Sequence, residues 1–131
     1  MAATMFLEKG QDPLDGALRN TSNARVVAAT VELALTRAAR RRGLLGRDRL
    51  DSGHAMVIAP CSSIHTWFMR FPIDVIFVTR DGRVVKTRSA MPAWRLAMAL
   101  GAYAAIELPA GAIERSAVKV GDRLELESAG S

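Results

Sequence analysis

A chain of 131 residues, half of them hydrophobic and 24% charged, is long enough to pack one domain and too short for two. That balance excludes a disordered chain, and the single cysteine excludes an internal disulfide framework. The formal charge of +5 leaves anionic partners open.

The first twelve residues have neither the basic region nor the long apolar region of a secretory signal peptide, so a cytoplasmic location is expected. Residues 1–24 are polar and broken by Gly10, Pro13 and Gly16. They read as a loosely ordered arm ahead of a single β-rich domain over residues 25–127. From Arg25 to Ala34, the run RVVAATVELA predicts a first strand. Thr36 can cap a short helix reaching about Leu45, with Ala38, Ala39, Leu44 and Leu45 inward and its arginines in solvent. Gly43 and Gly46 stand where that helix can end. Residues 37–49 hold six arginines against one acid, Asp48. Weak, nonspecific nucleic-acid binding through this basic helix is therefore one functional alternative. No zinc-finger spacing, helix-turn-helix signature or RNA-binding aromatic pattern accompanies it, so it is not the favoured one.

HAMVIAP predicts a short strand ending at Pro60, and IDVIFVTRDGRVVKTR predicts a hairpin turning at Arg80, Asp81 and Gly82. AYAAIELPAG and RLELES add two strands, the second introduced by Gly121 and Asp122. Residues 93–100 fit either a helical face, through Trp94, Ala97 and Met98, or a loop. The most apolar run, Leu96 to Ile106, is eleven residues long. A spanning helix needs about 20, so no membrane span is expected. The fold class predicted is mainly β, a compact sandwich or barrel-like domain with one or two short helices.

Four blocks, RRRGLLGR, PCSSIHTWFMRFPIDVIFVTRDGRVV, AIELPAG and VGDRLEL, follow one another in this order. Together they make the chain, over about residues 19–126, resemble the uncharacterised prokaryotic family catalogued as domain of unknown function 192. The resemblance implies a small, mostly β, sandwich-like domain with a helix carrying the Arg-Gly-Leu element, and it implies no known activity. The chain departs from the family's usual pattern in LAL before Thr36 and in GHAMVI, changes that touch packing and leave the central block intact.

That central block, residues 60–74, concentrates the reactive side chains. On an extended segment Cys61, Ser63, His65, Trp67 and Met69 share one face, which sets Cys61 and His65 about 13 Å apart. A thiol–imidazole hydrogen bond needs about 3 Å, so a catalytic pair requires a bend, for which Pro60 and two serines are suited. Asp74 stands among apolar neighbours and needs a partner: His65, Thr66, Arg70 or amides of the preceding loop. It either ties down that loop or orients His65. Glu107, between Ile106 and Leu108, calls for an arginine of the basic helix, or else joins a second carboxylate and a histidine in a metal or acid–base site.

With Cys61, His54 and His65 as the whole Cys and His supply, a structural zinc is not expected, and no cofactor is called for. Cys61 reads as a small buried hydrophobe before it reads as a nucleophile. The favoured function is a domain that binds a small ligand or a protein partner. Its pocket is expected around residues 61–74, walled by Trp67, Phe68 and Met69, with polar specificity from His65, Thr66 and Asp74 and with Glu107 as a further candidate. The alternative is a thiol-dependent or acid–base enzyme using Cys61, His65 and Asp74.

Overall fold

The β-branched runs recognised in the sequence pair into sheets because each has apolar residues to bury. The computed structural model describes residues 6–7 and 14–127. Strands β1 (Leu14–Asp15), β2 (Ala17–Asn20), β3 (Arg25–Ala28) and β4 (Thr30–Ala34) precede helix α1 (Arg37–Arg42). Then come β5 (His54–Ile58), β6 (Ser63–His65), β7 (Ile73–Val78), β8 (Val84–Met91), β9 (Leu96–Met98) and β10 (Ala104–Pro109), followed by helix α2 (Ala112–Ser116) and β11 (Leu124–Glu127).

Three sheets result. The main sheet has the order β1-β4-β5-β10-β7-β8, a second has β11-β2-β3, and β6 and β9 form a two-stranded ribbon. The inner strand β10 of the main sheet pairs along its length with β7, with Ile106 opposite Ile76 and Ala105 opposite Phe77. All six residues of β7, five apolar residues and Asp74, are buried, as befits a strand covered on both faces. On one face Ile76, Val78, Ile106 and Leu108 pack with Leu18, Val27 and Leu124 of the second sheet. On the other, Ile73, Val75, Phe77 and Ala105 pack with Leu44, Ile64 and Ala97, so the ribbon and the segment after α1 form the opposite layer.

The fold is mainly β, and among the described residues none of its sheets closes into a barrel. No helix among the described residues is long and apolar enough to cross a membrane.

Several elements differ from the sequence expectation. Of the arm expected over residues 1–24, residues 1–5 and 8–13 lie outside the described residues, but Ala17–Asn20 is the middle strand of the second sheet, with Leu18 and Asn20 fully buried. RVVAATVELA is two strands, β3 and β4, broken at Ala29 and shared between two sheets. Residues 93–100 contain the strand β9, and AIERS forms the short helix α2.

Helix α1 begins as expected, with the Ala39 N–H donating to Thr36 Oγ1 at 3.1 Å, and it ends at Gly43, φ +47. It buries no residue of its own. Ala38 and Leu45 are exposed, and of the expected inward set only Leu44 is buried. Strands β4 and β5 pair in parallel, with Thr30 opposite His54 and Ala34 opposite Ile58. A parallel pair needs a crossover, and the segment carrying α1 supplies it. The Asp81-Gly82 turn joins β7 to β8 as expected. Gly82 has φ +86, and a Cβ there would collide with the Leu124 carbonyl oxygen, so both backbone angle and space require glycine.

Candidate functional site

The crossover sets the arginine-rich end of α1 over the end of β5, against the chain that leaves β5 for β6. Between them lies a cavity of about 190 Å³, lined by Arg40, Arg41, Arg42 and Gly43 on one side and by Cys61, Ser63, His65 and Met69 on the other. Glu107 also lines it. Strand alternation explains how an acid arrives there. In β10, Ile106 and Leu108 face the second sheet, so Glu107 takes the opposite face with Ala105.

Glu107 is only 5% exposed, and its Oε2 is buried without a hydrogen-bond partner among the described residues. Burial pushes its carboxyl up from 4.5 to about 7, against a smaller opposing pull from the Arg47 charge. Arg47, the arginine whose charge it feels, is engaged elsewhere, in a bidentate contact with Glu32 at 2.6 and 3.1 Å. That contact holds the Glu32 carboxyl below its ordinary range. Arg49 pairs with Asp51, and Arg40 donates to the Leu35 carbonyl at 2.8 Å. Among the described residues Arg41 and Arg42 pair with no acid.

Cys61 is half-buried and donates through Sγ to the Ser63 carbonyl at 3.0 Å. Burial pushes its thiol above the ordinary value, outweighing the opposing effect of the Ser63 backbone. His65 is exposed and stacks on Trp67, ring centroids 4.5 Å apart. The thiol is therefore not poised as a nucleophile at neutral pH, because the reactive species is the thiolate. Alkylation of Cys61 in the native protein is expected to run slower near neutral pH than that of a model thiol, because burial disfavours the thiolate and restricts access to it. Its pH profile should be displaced to the alkaline side and unchanged in His65→Ala. Fast labelling with an acid-shifted profile lost in His65→Ala would reverse that assignment.

Asp74 does not join this cavity. Fully buried on β7, it accepts from the Ala90 N–H at 2.7 Å with Oδ1, and from the N–H groups of Gly111 at 3.1 Å and Ile113 at 2.9 Å with Oδ2. Its partners come from the end of β8 and the start of α2, not from the preceding loop, His65 or Arg70. Thr66 is equally occupied. Fully buried, it donates through Oγ1 to the Pro92 carbonyl at 2.6 Å and accepts from the Arg95 N–H at 2.9 Å, tying its turn to the segment before β9.

Of the expected pocket wall only Met69 lines the cavity; Trp67 and Phe68 are 46% and 67% exposed. The structure thus brings Cys61, His65, Met69 and Glu107 together and leaves out Asp74, Thr66, Trp67 and Phe68. What sequence reasoning missed is the other wall, Arg40 to Leu45. RRRGLL was visible as a charged helix end, but its meeting with the central block depends on the parallel β4–β5 pairing, for which there is no local signal.

Comparison with known proteins agrees with the fold. The DUF192 family model, described as "Uncharacterized ACR, COG1430", matches residues 18–126. A UPF0127 protein of Thermococcus sibiricus is 34% identical over 117 residues, covering 84% of this chain and 74% of that protein. A UPF0127 protein of Pyrococcus furiosus is 43% identical over 65 residues, 49% of this chain and 55% of that protein. Two crystal structures, each 26% identical, superpose on most of the chain. One, from Sinorhizobium meliloti 1021, carries a name that proposes a transcription regulator; its TM-score is 0.74, with 84% of this chain and 90% of that one covered. The other, a protein of unknown function from Novosphingobium aromaticivorans DSM 12444, has a TM-score of 0.72 and coverage of 95% and 94%. With the family model spanning nearly all of the described β domain, this chain belongs to the uncharacterised prokaryotic family DUF192, also named UPF0127.

Proposed function

We propose that this chain is a binding domain for a small molecule held in the cavity between α1 and β6, one that offers a hydrogen-bond donor to Glu107 and an anionic group to Arg41 and Arg42. The observation that carries this reading is Glu107 Oε2, buried beside a cavity and without a partner among the described residues. A buried polar atom without a partner is costly, and a ligand hydroxyl or ammonium would satisfy it. Arginines supply the complementary recognition, since a guanidinium fork suits a carboxylate or phosphate. At about 190 Å³ the cavity is small beside typical drug-sized pockets, which directs attention to short hydroxy acids and amino acids.

The raised Cys61 thiol and the engagement of Asp74 by three backbone amides favour binding over thiol or acid–base catalysis. A nucleic-acid role finds a precedent in the name of the Sinorhizobium protein. Arg47 and Arg49 of the basic run are paired with acids, however, which weakens it as a phosphate-binding surface.

Calorimetric titration with a panel of short hydroxy acids, amino acids and inorganic phosphate tests the proposal. Binding of at least one hydroxy or amino acid is expected, weakened about tenfold in Glu107→Met, which has no acceptor oxygen, and in Arg41→Gln, as loss of one good hydrogen bond implies. A folded wild-type protein that takes up none of them, or binds one equally well in both variants, contradicts it.

A further inference from the structure

The β6–β9 ribbon turns an apolar face to solvent. Ile64 and Ala97 point into the core, so their neighbours point out: His65 lies opposite Leu96 and Ser63 opposite Met98. Leu96 and Met98 are each 54% exposed, and Leu100, just beyond, is 98% exposed. Trp67 continues this surface by stacking on His65. At the end of the ribbon Phe68 meets Trp94 edge-on, centroids 4.7 Å apart.

Both of these aromatics adopt left-handed backbone angles, φ +64 at Phe68 and +67 at Trp94. Bulky residues avoid that region, and such strain persists only where surrounding structure enforces it. Here Thr66 does so. Its N–H donates to the Arg95 carbonyl, its carbonyl accepts from the N–H groups of Met69 and Trp94, and its buried hydroxyl bonds Pro92 and Arg95. The chain thus fixes two strained turns side by side, and the result is aromatic rings held in water.

The charge around this face has one sign. Between residues 52 and 73, and again between 82 and 106, the sequence holds no aspartate or glutamate, while Arg70, Lys86, Arg88 and Arg95 stand there. Lys86 reaches the ribbon itself, donating to the Met98 carbonyl at 2.7 Å, and Arg88 lies two residues along the same strand. Arg70 is paired with Asp48, an acid from outside these segments. Exposed tryptophan, phenylalanine and leucine beside unopposed cations are complementary to the interface of an anionic bilayer, where aromatic rings sit at headgroup depth and basic side chains meet lipid phosphates.

We propose that the outward face of the β6–β9 ribbon, led by Trp67, Phe68, Trp94 and Leu100 and flanked by Arg95, Lys86 and Arg88, docks this protein on an anionic lipid surface. The docking is peripheral, with no element crossing the bilayer, and the face shares His65 and Ser63 with the rim of the ligand cavity. Because Trp67 and Trp94 are the two tryptophans of the chain, intrinsic fluorescence reads this face alone.

The test titrates the full chain with large unilamellar vesicles of phosphatidylcholine, with and without about one-third phosphatidylglycerol, following tryptophan emission and co-sedimentation. A blue shift and sedimentation with the anionic vesicles only, reversed by salt, are expected. Arg95→Gln should weaken partitioning about fivefold. Leu100→Ser, an exposed change that removes no core contact, should weaken it while leaving the thermal midpoint unchanged. Failure to sediment with anionic vesicles at low salt would overturn the proposal. So would a blue shift that grows with protein concentration in the absence of lipid and accompanies dimer formation, which would make this face an interface between two copies.

Discussion

Asp74→Ala is expected to lower the stability of the fold by about 3 to 5 kcal/mol, near the upper end for a single substitution. The carboxylate is fully buried and accepts three backbone hydrogen bonds, from Ala90, Gly111 and Ile113. Each is charge-assisted, and alanine would leave all three donors without this acceptor. Those donors belong to the end of β8 and to the entry of α2, so one side chain on β7 holds two separate segments against the main sheet. Asp74→Asn keeps one acceptor oxygen for the converging N–H groups of Gly111 and Ile113 but turns an amide donor toward the Ala90 N–H. It should recover only part of the loss. Chemical denaturation followed by circular dichroism reads the effect as a lower midpoint at unchanged slope. A wild-type midpoint in Asp74→Ala would show that the three amides find other partners and that Asp74 is not the clasp.

Glu107 should make the protein less stable as the pH rises through the weakly acidic range. Its carboxyl titrates near pH 7 in the folded chain, against an ordinary value of 4.5. Between these two values the folded chain holds a proton that the unfolded chain has released. Unfolding therefore becomes easier with each step upward in pH, by a total of about 3 kcal/mol for this group, and is affected little further above pH 7. Glu32 acts in the opposite sense and outside this window. Held low by Arg47, it contributes stability that is lost as the pH falls below its ordinary 4.5.

The difference between wild type and Glu107→Gln isolates the effect, since the other titrating groups are common to both. Near pH 4.5 the two proteins should unfold at similar denaturant concentrations, and near pH 8 the glutamine variant should be the more stable by about 3 kcal/mol. Parallel stability profiles across that range would mean that Glu107 is solvated or paired.

Much of the strand content is legible in the sequence because it is written locally. IDVIFV, VVKTR and AAIELP are β-branched or apolar runs bounded by turns, and the Asp81-Gly82 turn joins the first two as its chemistry dictates. Thr36 and Gly43 mark the limits of α1 by capping chemistry, which is equally local. The break at Ala29 and the parallel pairing of β4 with β5 have no such mark, since both are settled by which sheet each strand can reach.

The site shows the same division. Cys61 and His65 were recognisable as candidates, and the alternation that buries Ile64 while exposing Ser63 and His65 follows from strand periodicity. The partners of Asp74, in contrast, lie 16, 37 and 39 residues downstream. Nothing in PIDVIFV points toward Ala90 or Gly111. Glu107 was expected to find an arginine, but a charge's partner depends on competition in space, and Glu32 holds the one whose charge Glu107 feels. Trp67 and Phe68 reverse the usual burial of aromatics because the bonds around Thr66 turn them outward, a constraint that composition does not carry.

The most direct test of the ligand-binding account is a titration of the Glu107 side-chain carboxyl by carbon-detected NMR in the ligand-free protein. A midpoint near pH 7 is expected for an unpartnered acid buried beside the cavity. A midpoint at or below 4.5 would show that the carboxylate is hydrated or already paired with one of the arginines, and the cavity would then hold no unsatisfied acceptor for a ligand to meet.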